Sequence, residues 1–363
     1  MPSTCFGRIP LELRHTYLLQ GVLRQLNFFA RIVTAAVLPS VSSAQSPKTT
    51  MKAIVVHEYG GPAVLKYEEV PRPEPKEDQI LVRVIAAGVN PVDAMIRSGL
   101  FAKYEKDVFP LIPGADIAGV VEKVGSKVTK FKAGDPVFAY VSLKGGGGYA
   151  EYALAAERDT AAKPKSLTYV EAAAVPIVAL TAWQALVDAA KLSAGQTVLV
   201  HGGSGGVGTF AIQIAKARGA KVIATASTAN QDLLRQLGAD VAVDYTKQRF
   251  EDIAKDVDVV LDSVGEDTLA RSYGVVKRGG FIVSLVARPD QAELDKHGIR
   301  GAALSVEPNS DELAEIGGLI DEKKIKVFVS QTFPLSNAAK AQEQVATGHT
   351  RGKIVLKVAD EPK

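Results

Sequence analysis

Gly203, Gly205 and Gly208 stand in the spacing G-x-G-x-x-G directly after the apolar run Val198-Leu199-Val200, within His201-Gly202-Gly203-Ser204-Gly205-Gly206-Val207-Gly208. A helix-patterned segment, residues 209–218, follows at once, and a second apolar strand at 221–224 closes a βαβ unit. In such a unit Gly203 permits the tight turn, Gly205 lets the backbone approach a diphosphate, and Gly208 lets helix and strand pack closely. The phosphates then sit at a helix N-terminus, where free N–H groups and the helix dipole favour negative charge. The alternative is a plain strand-to-helix turn, and both flanks argue against it.

The residues after the second strand bear on which dinucleotide is held. A site that takes the unphosphorylated ribose places Asp or Glu roughly 20 residues beyond the start of the fingerprint. Here the chain reads Ala224-Thr225-Ala226-Ser227-Thr228-Ala229-Asn230, with no acid before Asp232. A carboxylate there repels a 2′-phosphate, so the pattern favours NADPH over NADH. Arg235 is the nearest cation, and an ordinary polar turn is the competing reading.

Bulk properties narrow the remaining classes. The chain has 363 residues, 47% hydrophobic and 23% charged, enough for two domains of ordinary size. No apolar run reaches the length of a membrane span. Residues 1–50 hold Arg8, Arg14, Arg24, Arg31 and Lys48 against Glu12 alone, so the formal net charge of +3 sits in that segment and leaves a nearly neutral body. Nothing in that balance calls for nucleic acid. Cys5 is the single cysteine, and His15, His57, His201, His297 and His349 lack metal-ligand spacing, so no metal site is expected.

Residues 1–50 read as a tail: either a secretory or organellar targeting peptide, or an extension upstream of a start at Met51. Cytoplasmic residence is expected, with export or an organelle as the alternative if the tail is a targeting peptide. Residues 51–174 have β character at 51–57, 79–87, 119–124, 136–141 and 149–154, punctuated by glycine and proline, which implies a small barrel. Residues 167–190 turn helical. Strands at 197–200, 221–224, 241–243, 257–261 and 280–285 then alternate with helices, the rhythm of a doubly wound parallel sheet. A helix at 311–323 and strands at 326–330 and 353–358 close the chain. The expected fold class is α/β, with residues 51–174 plus 309–363 forming the barrel domain and 175–308 the nucleotide domain.

Several separated motifs stand in one order: Ala86-Ala87-Gly88-Val89-Asn90-Pro91-Val92-Asp93, Ile112-Pro113-Gly114-Ala115-Asp116-Ile117-Ala118-Gly119, Lys132-Ala133-Gly134-Asp135-Pro136-Val137, Gly148-Tyr149-Ala150-Glu151-Tyr152, the glycine turn, and Gly352-Lys353-Ile354-Val355-Leu356. With them the chain from Met51 onward resembles the medium-chain dehydrogenase/reductase superfamily, in its zinc-independent quinone oxidoreductase branch, which includes zeta-crystallin-like and alkenal reductases. The resemblance implies a GroES-like barrel joined to a Rossmann domain, with the cofactor between them. Where zinc-dependent relatives carry metal ligands, this chain has Asn90, Ala115-Asp116 and a position near Ala179. Without a Lewis acid, alcohol oxidation is disfavoured, whereas a quinone or an α,β-unsaturated carbonyl accepts hydride unaided.

The resemblance also implies roles. Asn90 reaches the nicotinamide side, or is a turn Asn before Pro91; Thr181 neighbours the nicotinamide, or is a buried helix Thr. Ser204, Gly205, Gly206 and Val207 offer N–H groups to the diphosphate. Ser227 and Tyr245 flank the 2′-phosphate, Tyr245 being alternatively a core aromatic, and the lysine often found beside them is replaced by Asn230 and Gln231. Val264, Gly265 and Leu285 end later strands on the ligand side. Lys353 reaches the cofactor or is a solvated strand charge. Asp93 orders its loop. No proton donor is assigned: Met95 and Phe101 occupy the region where some relatives have a Tyr, and Tyr59, Tyr104 and Tyr140 each read more readily as a packing aromatic than as a donor. The expected activity is NADPH-dependent reduction of quinones, enals or enones by a homodimer paired through an edge strand near 301–306. The alternatives are an enoyl-thioester reductase and a non-catalytic NADPH-binding or redox-sensing protein.

Overall fold

The computed structural model describes residues 49–103, 108–142 and 147–362. The expectations about residues 1–48 and about Tyr104 lie outside these residues.

Strands β1 (Thr50–Val55) and β2 (Lys66–Pro71) form an antiparallel pair, so the first strand begins one residue before Met51. Next come β3 (Gln79–Val89), β4 (Asp116–Val124), β5 (Pro136–Tyr140), β6 (Tyr152–Ala156) and β7 (Thr160–Ala162). A short helix, α1 (Pro91–Arg97), follows β3. Two strands escape sequence reading for physical reasons. β2 has no fully buried residue, and so no apolar alternation, and β7 has three residues.

The helical stretch expected over 167–190 is interrupted. It is α2 (Tyr169–Ala173), then α3 (Pro176–Trp183), which opens into a wider turn over Gln184–Ala189. Pro176 has no N–H to continue the preceding helix but suits the first turn of a new one. Every residue of α3 is buried. A helix with no polar face belongs inside a core, and α3 shares one core with Phe138 and Val200, one from each large sheet, and with the helical residue Phe210.

The nucleotide portion comprises β8 (Thr197–Val200), α4 (Gly206–Ala217), β9 (Lys221–Ala226), α5 (Gln231–Gln236), β10 (Val241–Asp244), α6 (Phe250–Ile253), β11 (Val257–Asp262), α7 (Glu266–Ser272), β12 (Val276–Ser284), α8 (Gln291–His297) and β13 (Arg300–Ala303). Its strands form a six-stranded parallel sheet in the order β10-β9-β8-β11-β12-β13. The order reverses between β8 and β11, where open α/β sheets bind ligands beyond the carboxyl ends of the strands. The chain finishes with α9 (Ser310–Asp321), β14 (Val329–Pro334), α10 (Ala338–Ala346) and β15 (Lys353–Lys357). β15 runs antiparallel to β3, inside a seven-stranded sheet of order β14-β15-β3-β4-β5-β7, and β6 also pairs with β3. The first residues of β15 thereby come to lie beside the glycine-rich turn.

Candidate active site

The turn after β8 is built around Gly202, whose φ of 68° is the left-handed conformation that glycine tolerates. A Cβ there would lie 2.5 Å from the Ser263 hydroxyl. The tight-turn role expected of Gly203 thus belongs to its neighbour, and Gly203 instead makes room for Leu234, 2.8 Å from where its Cβ would be. Gly208 brings α4 against the turn: a Cβ there would stand 2.3 Å from the Gly202 carbonyl oxygen and 2.7 Å from Gly203 Cα. At Gly205 a Cβ would meet only the Gly202 oxygen at 3.4 Å, so the outer face of the turn is open.

The donors on that face are backbone groups. Gly205 N–H is already given to Gly202 O at 3.0 Å, which removes it from the expected set. Gly206 N–H is directed at Gly352 O by the parallel bridge between Gly205 and Gly352, and among the described residues the N–H groups of Ser204, Val207 and Gly208 have no acceptor. The N-cap, Gly205, supplies no side chain to cap α4. Unpaired N–H groups at the start of a twelve-residue helix carry its positive end and fit a diphosphate.

Facing the turn is a cluster of buried side chains. Asn90 precedes Pro91 at the start of α1, and the Asp93 carboxylate accepts its N–H at 2.9 Å and the Tyr149 hydroxyl at 2.8 Å. Asp93 therefore orders this loop. Burial pushes its carboxyl up to about 6, against the lowering by those two donors, and burial likewise raises the Tyr149 phenol. The Asn90 amide donates to Asp116 Oδ2 at 2.9 Å and accepts from Lys353 Nζ at 2.5 Å. Lys353 Nζ also donates to Val89 O at 3.1 Å and to Asp116 Oδ2 at 3.2 Å. Asp116 Oδ1 accepts the Ile177 N–H at 2.7 Å, which ties the cluster to the first turn of α3. Lys353 is 3% exposed and Asp116 wholly buried, so the reading of Lys353 as a solvated strand charge is overturned. The preceding residue joins the cluster to the turn, since Gly352 N–H donates to Ser204 O at 2.8 Å.

Thr181 lies on α3, its hydroxyl given to Ile177 O at 2.6 Å, so it occupies a buried helix position with that proton already spent. Val264 and Gly265 follow β11, but both of their N–H groups are accepted by Asp262 Oδ1, at 3.0 and 2.9 Å. Leu285, half-buried, donates its N–H to Asp262 O at 2.9 Å. Val264 is 52% exposed and presents an apolar surface at this edge. Ser227 and Tyr245 sit together after β9 and β10, and Tyr245 N–H donates to Ala226 O at 3.3 Å. Tyr245 is 57% exposed, which excludes the reading of it as a core aromatic.

The same pairing corrects the search for a nearby acid. Reading along the chain found none before Asp232, but Asp244, at the end of β10, lies opposite Ala226 in the β9 register. Hydrogen bonds from Thr228 at 2.5 Å and Thr246 at 2.6 Å hold its carboxyl down to about 2. Both hydroxyls occupy its oxygens, and Lys247 Nζ stands 3.6 Å away. Lys247 lies in the turn that follows β10, three residues beyond its partner Asp244.

The sheet edges gather these residues into two patches. Asn90, Lys353 and the glycine turn meet through the Gly352 hydrogen bond, with Thr181, Val264, Gly265 and Leu285 on elements packed around them. Ser227 and Tyr245 form the second patch, to which no recorded side-chain bond leads from Asn90 or Lys353. Sequence reading missed Tyr149 and Asp244 as site-shaping residues and gave Asp116 no role beyond its place in the missing metal set. The available signal was an acid set among apolar residues in strand-like stretches, as in Ala115-Asp116-Ile117. His201, also unassigned, is a buried packing residue that contacts Thr225 and Ser272 and stands edge-on to Phe250. Burial pushes its imidazole down to about 4.

Of the tyrosines weighed as proton donors, Tyr140 is buried, which raises its phenol, and Tyr59 stacks edge-on with Phe109 at 4.9 Å. Met95 and Phe101 are each 40% exposed at the end of α1 and just beyond.

Residues 76–165 match a family model described as an alcohol dehydrogenase GroES-like domain, and 237–356 one described as a zinc-binding dehydrogenase. The donor set does not suit zinc: the cluster holds an amide, a phenol, an ammonium, and two carboxylates that already accept two and three donors. Among the described residues no three His, Cys, Asp or Glu side chains converge. The chain is 40% identical over 342 residues to the NADPH-dependent alkenal/one oxidoreductase, chloroplastic, of Arabidopsis thaliana, covering 91% of this chain and 86% of that protein. It also resembles the solved quinone oxidoreductase of Coxiella burnetii (38% identity, TM-score 0.79, 85% of this chain and 99% of that one). The Escherichia coli quinone oxidoreductase, solved in complex with NADPH, is 32% identical with a TM-score of 0.77, over 85% of this chain and 100% of that one. On these likenesses, and with a parallel Rossmann sheet beside a GroES-like barrel, the chain belongs to the medium-chain dehydrogenase/reductase superfamily, in its zinc-independent quinone oxidoreductase branch.

Proposed function

We propose that the protein is an NADPH-dependent reductase of quinones and α,β-unsaturated carbonyls. The observation that carries this reading is the set of unpaired N–H groups at Ser204, Val207 and Gly208, joined by the Gly352 hydrogen bond to the Asn90 cluster. The names of the Arabidopsis and bacterial relatives support both cofactor and acceptor class. Ser204, Val207 and Gly208 hold the diphosphate. Ser227, Tyr245 and Lys247 face the 2′-phosphate, and the exposed Val264 and the Leu285 backbone line the nicotinamide side with Thr181. Bound NADPH supplies a hydride.

A quinone or enone takes that hydride at a conjugated carbon, and the negative charge develops on its oxygen. An amide nitrogen has two N–H groups, and Asn90 gives one to Asp116. The other is offered to the acceptor oxygen as its charge grows. Water then delivers the proton, so no tyrosine is needed. Residues 51–174 with 309–363 serve as the catalytic domain and 175–308 as the nucleotide domain, and two copies pair through β13, an edge strand.

The test is NADPH oxidation with quinones, short enals and enoyl thioesters. Turnover of the first two groups is expected. Tight NADPH binding with no turnover of any acceptor supports the non-catalytic alternative instead. Light scattering that gives a single-subunit mass at micromolar concentration refutes the pairing. No helix among the described residues is long and apolar enough to cross a membrane. The chloroplastic relative favours an organellar location, which cell fractionation with N-terminal sequencing tests.

A further inference from the structure

We propose that Lys353, held by Asp116, is a positioning residue that orients the Asn90 amide and strengthens its remaining N–H as a donor to the acceptor oxygen. This deepens the reductase reading above and rests on it.

The hydrogen-bond count excludes direct action by Lys353. An ammonium has three N–H groups, and Lys353 gives them to Val89 O, Asn90 Oδ1 and Asp116 Oδ2. None remains for an acceptor or a cofactor phosphate. Any influence of Lys353 on the reaction therefore passes through Asn90. The charges also select one amide orientation: Oδ1 faces the cation and Nδ2 faces the Asp116 carboxylate. The flipped amide would set N–H groups against the ammonium and an oxygen against the carboxylate. A charged donor on the carbonyl oxygen draws electron density through the amide, which strengthens the N–H that is left.

A purely structural purpose accounts poorly for the pair. Lys353 and Asp116 side chains are 4% and 0% exposed. Buried ion pairs are commonly no more stable than apolar residues of similar volume. The pair is also placed where alignment matters, because Gly352, next in the chain, holds Ser204 of the glycine turn. One dipeptide thus keeps Asn90 in register with the backbone donors.

The experiment uses the neutral double variant Asp116→Asn with Lys353→Met, which leaves no lone buried charge and keeps an oxygen for the Ile177 N–H. Three measurements are compared with the unmodified protein: NADPH affinity by fluorescence titration, kcat and KM for a quinone, and the Asn90 side-chain amide resonances of the cofactor-free protein by ¹⁵N NMR. The expected result is NADPH affinity within about threefold, kcat lower by about tenfold or more, and shifted or exchange-broadened Asn90 resonances. Unchanged kcat or unchanged resonances overturn the proposal. If the double variant does not fold, Lys353→Ala is assayed with added ethylammonium, and with ethanol as the neutral control. Rescue by the amine alone supports the proposal; no rescue, rescue by both, or failure of this variant to fold as well overturns it. If the unmodified enzyme reduces no acceptor, the reductase reading fails, while the amide resonances still judge the hold of Lys353 on Asn90.

Discussion

The glycine turn and the Asn90 cluster meet where Gly352 N–H donates to Ser204 O, yet they are made from opposite materials. The turn works by omission. Side chains are absent at Gly202, Gly203, Gly205 and Gly208, so backbone N–H groups stand open and α4 closes on the strand. The cluster works by saturation: Asn90, Asp93, Asp116, Tyr149 and Lys353 are all buried and bonded to one another. A backbone site tolerates no added atom, whereas a side-chain network tolerates no lost partner. Each side is therefore vulnerable to a different kind of substitution.

The sharpest break is Gly208→Ala, whose methyl meets backbone at 2.3 Å rather than a movable side chain. Stability should fall by about 1–3 kcal/mol, and NADPH affinity by roughly a hundredfold as the N-terminus of α4 shifts. Calorimetry and fluorescence titration measure the two effects. Affinity within twofold of the parent would show that the turn absorbs the methyl without moving its donors.

Asn90→Ala attacks the other side. It removes the acceptor of Lys353 and the donor to Asp116, so kcat should drop by about ten- to a hundredfold while NADPH affinity stays within about threefold. A variant that loses affinity and keeps kcat would reverse the division of labour between the two sides.

Protonation separates the regions by sign. Asp93 titrates at about 6 when folded against an ordinary 3.8, so its contribution to stability is present at low pH and is lost as pH rises through 6. His201, lowered from 6.5 to about 4, contributes stability present above pH 6.5 that is lost as pH falls through 4. The two slopes oppose each other between pH 4 and 6, each worth at most about 3 kcal/mol. Asp93→Asn keeps an oxygen for Asn90 N–H and Tyr149 OH while removing the falling slope. Urea unfolding at pH 4.5 and pH 6 should then show stability rising with pH more steeply than in the parent. An unchanged slope would mean that Asp93 titrates normally.

Ser227→Asp is expected to have a smaller effect than these, because Asp244 already places a carboxylate nearby. The NADPH-to-NADH preference should fall by about tenfold through repulsion of the 2′-phosphate. Lys247→Ala should lower it by roughly threefold, as an exposed charge is well screened. An unaltered ratio in both would place the discriminating contact elsewhere.

How much was legible follows from what each feature needs. The turn could be read because glycine is the chemical requirement, and because apolar strands on either side announce a βαβ unit. Even there the positive φ fell on Gly202 rather than Gly203, since a spacing pattern does not say which glycine bears the strain. The strands of the parallel sheet, buried on both faces, were found nearly in full. β2 was not, because none of its residues is buried, and α10 was not, because its buried face of Ala338, Ala341, Gln342 and Val345 is mostly small or polar. Asp116 was visible only as a position where zinc-dependent relatives carry a metal ligand, and nothing local tied it to Lys353, 237 positions away.

Local chemistry alone therefore determined the nucleotide turn and the alternating βα rhythm, because each depends on residues adjacent in the chain, and the single cysteine left no thiolate-rich ligand set. The tertiary structure decided the partners of Asn90, the burial of Lys353 and the presence of Asp244 beside Ser227. Those depend on which strands pair. β15 against β3 and β10 against β9 bring distant residues within hydrogen-bonding reach, and burial then compels every charge among them to find a partner.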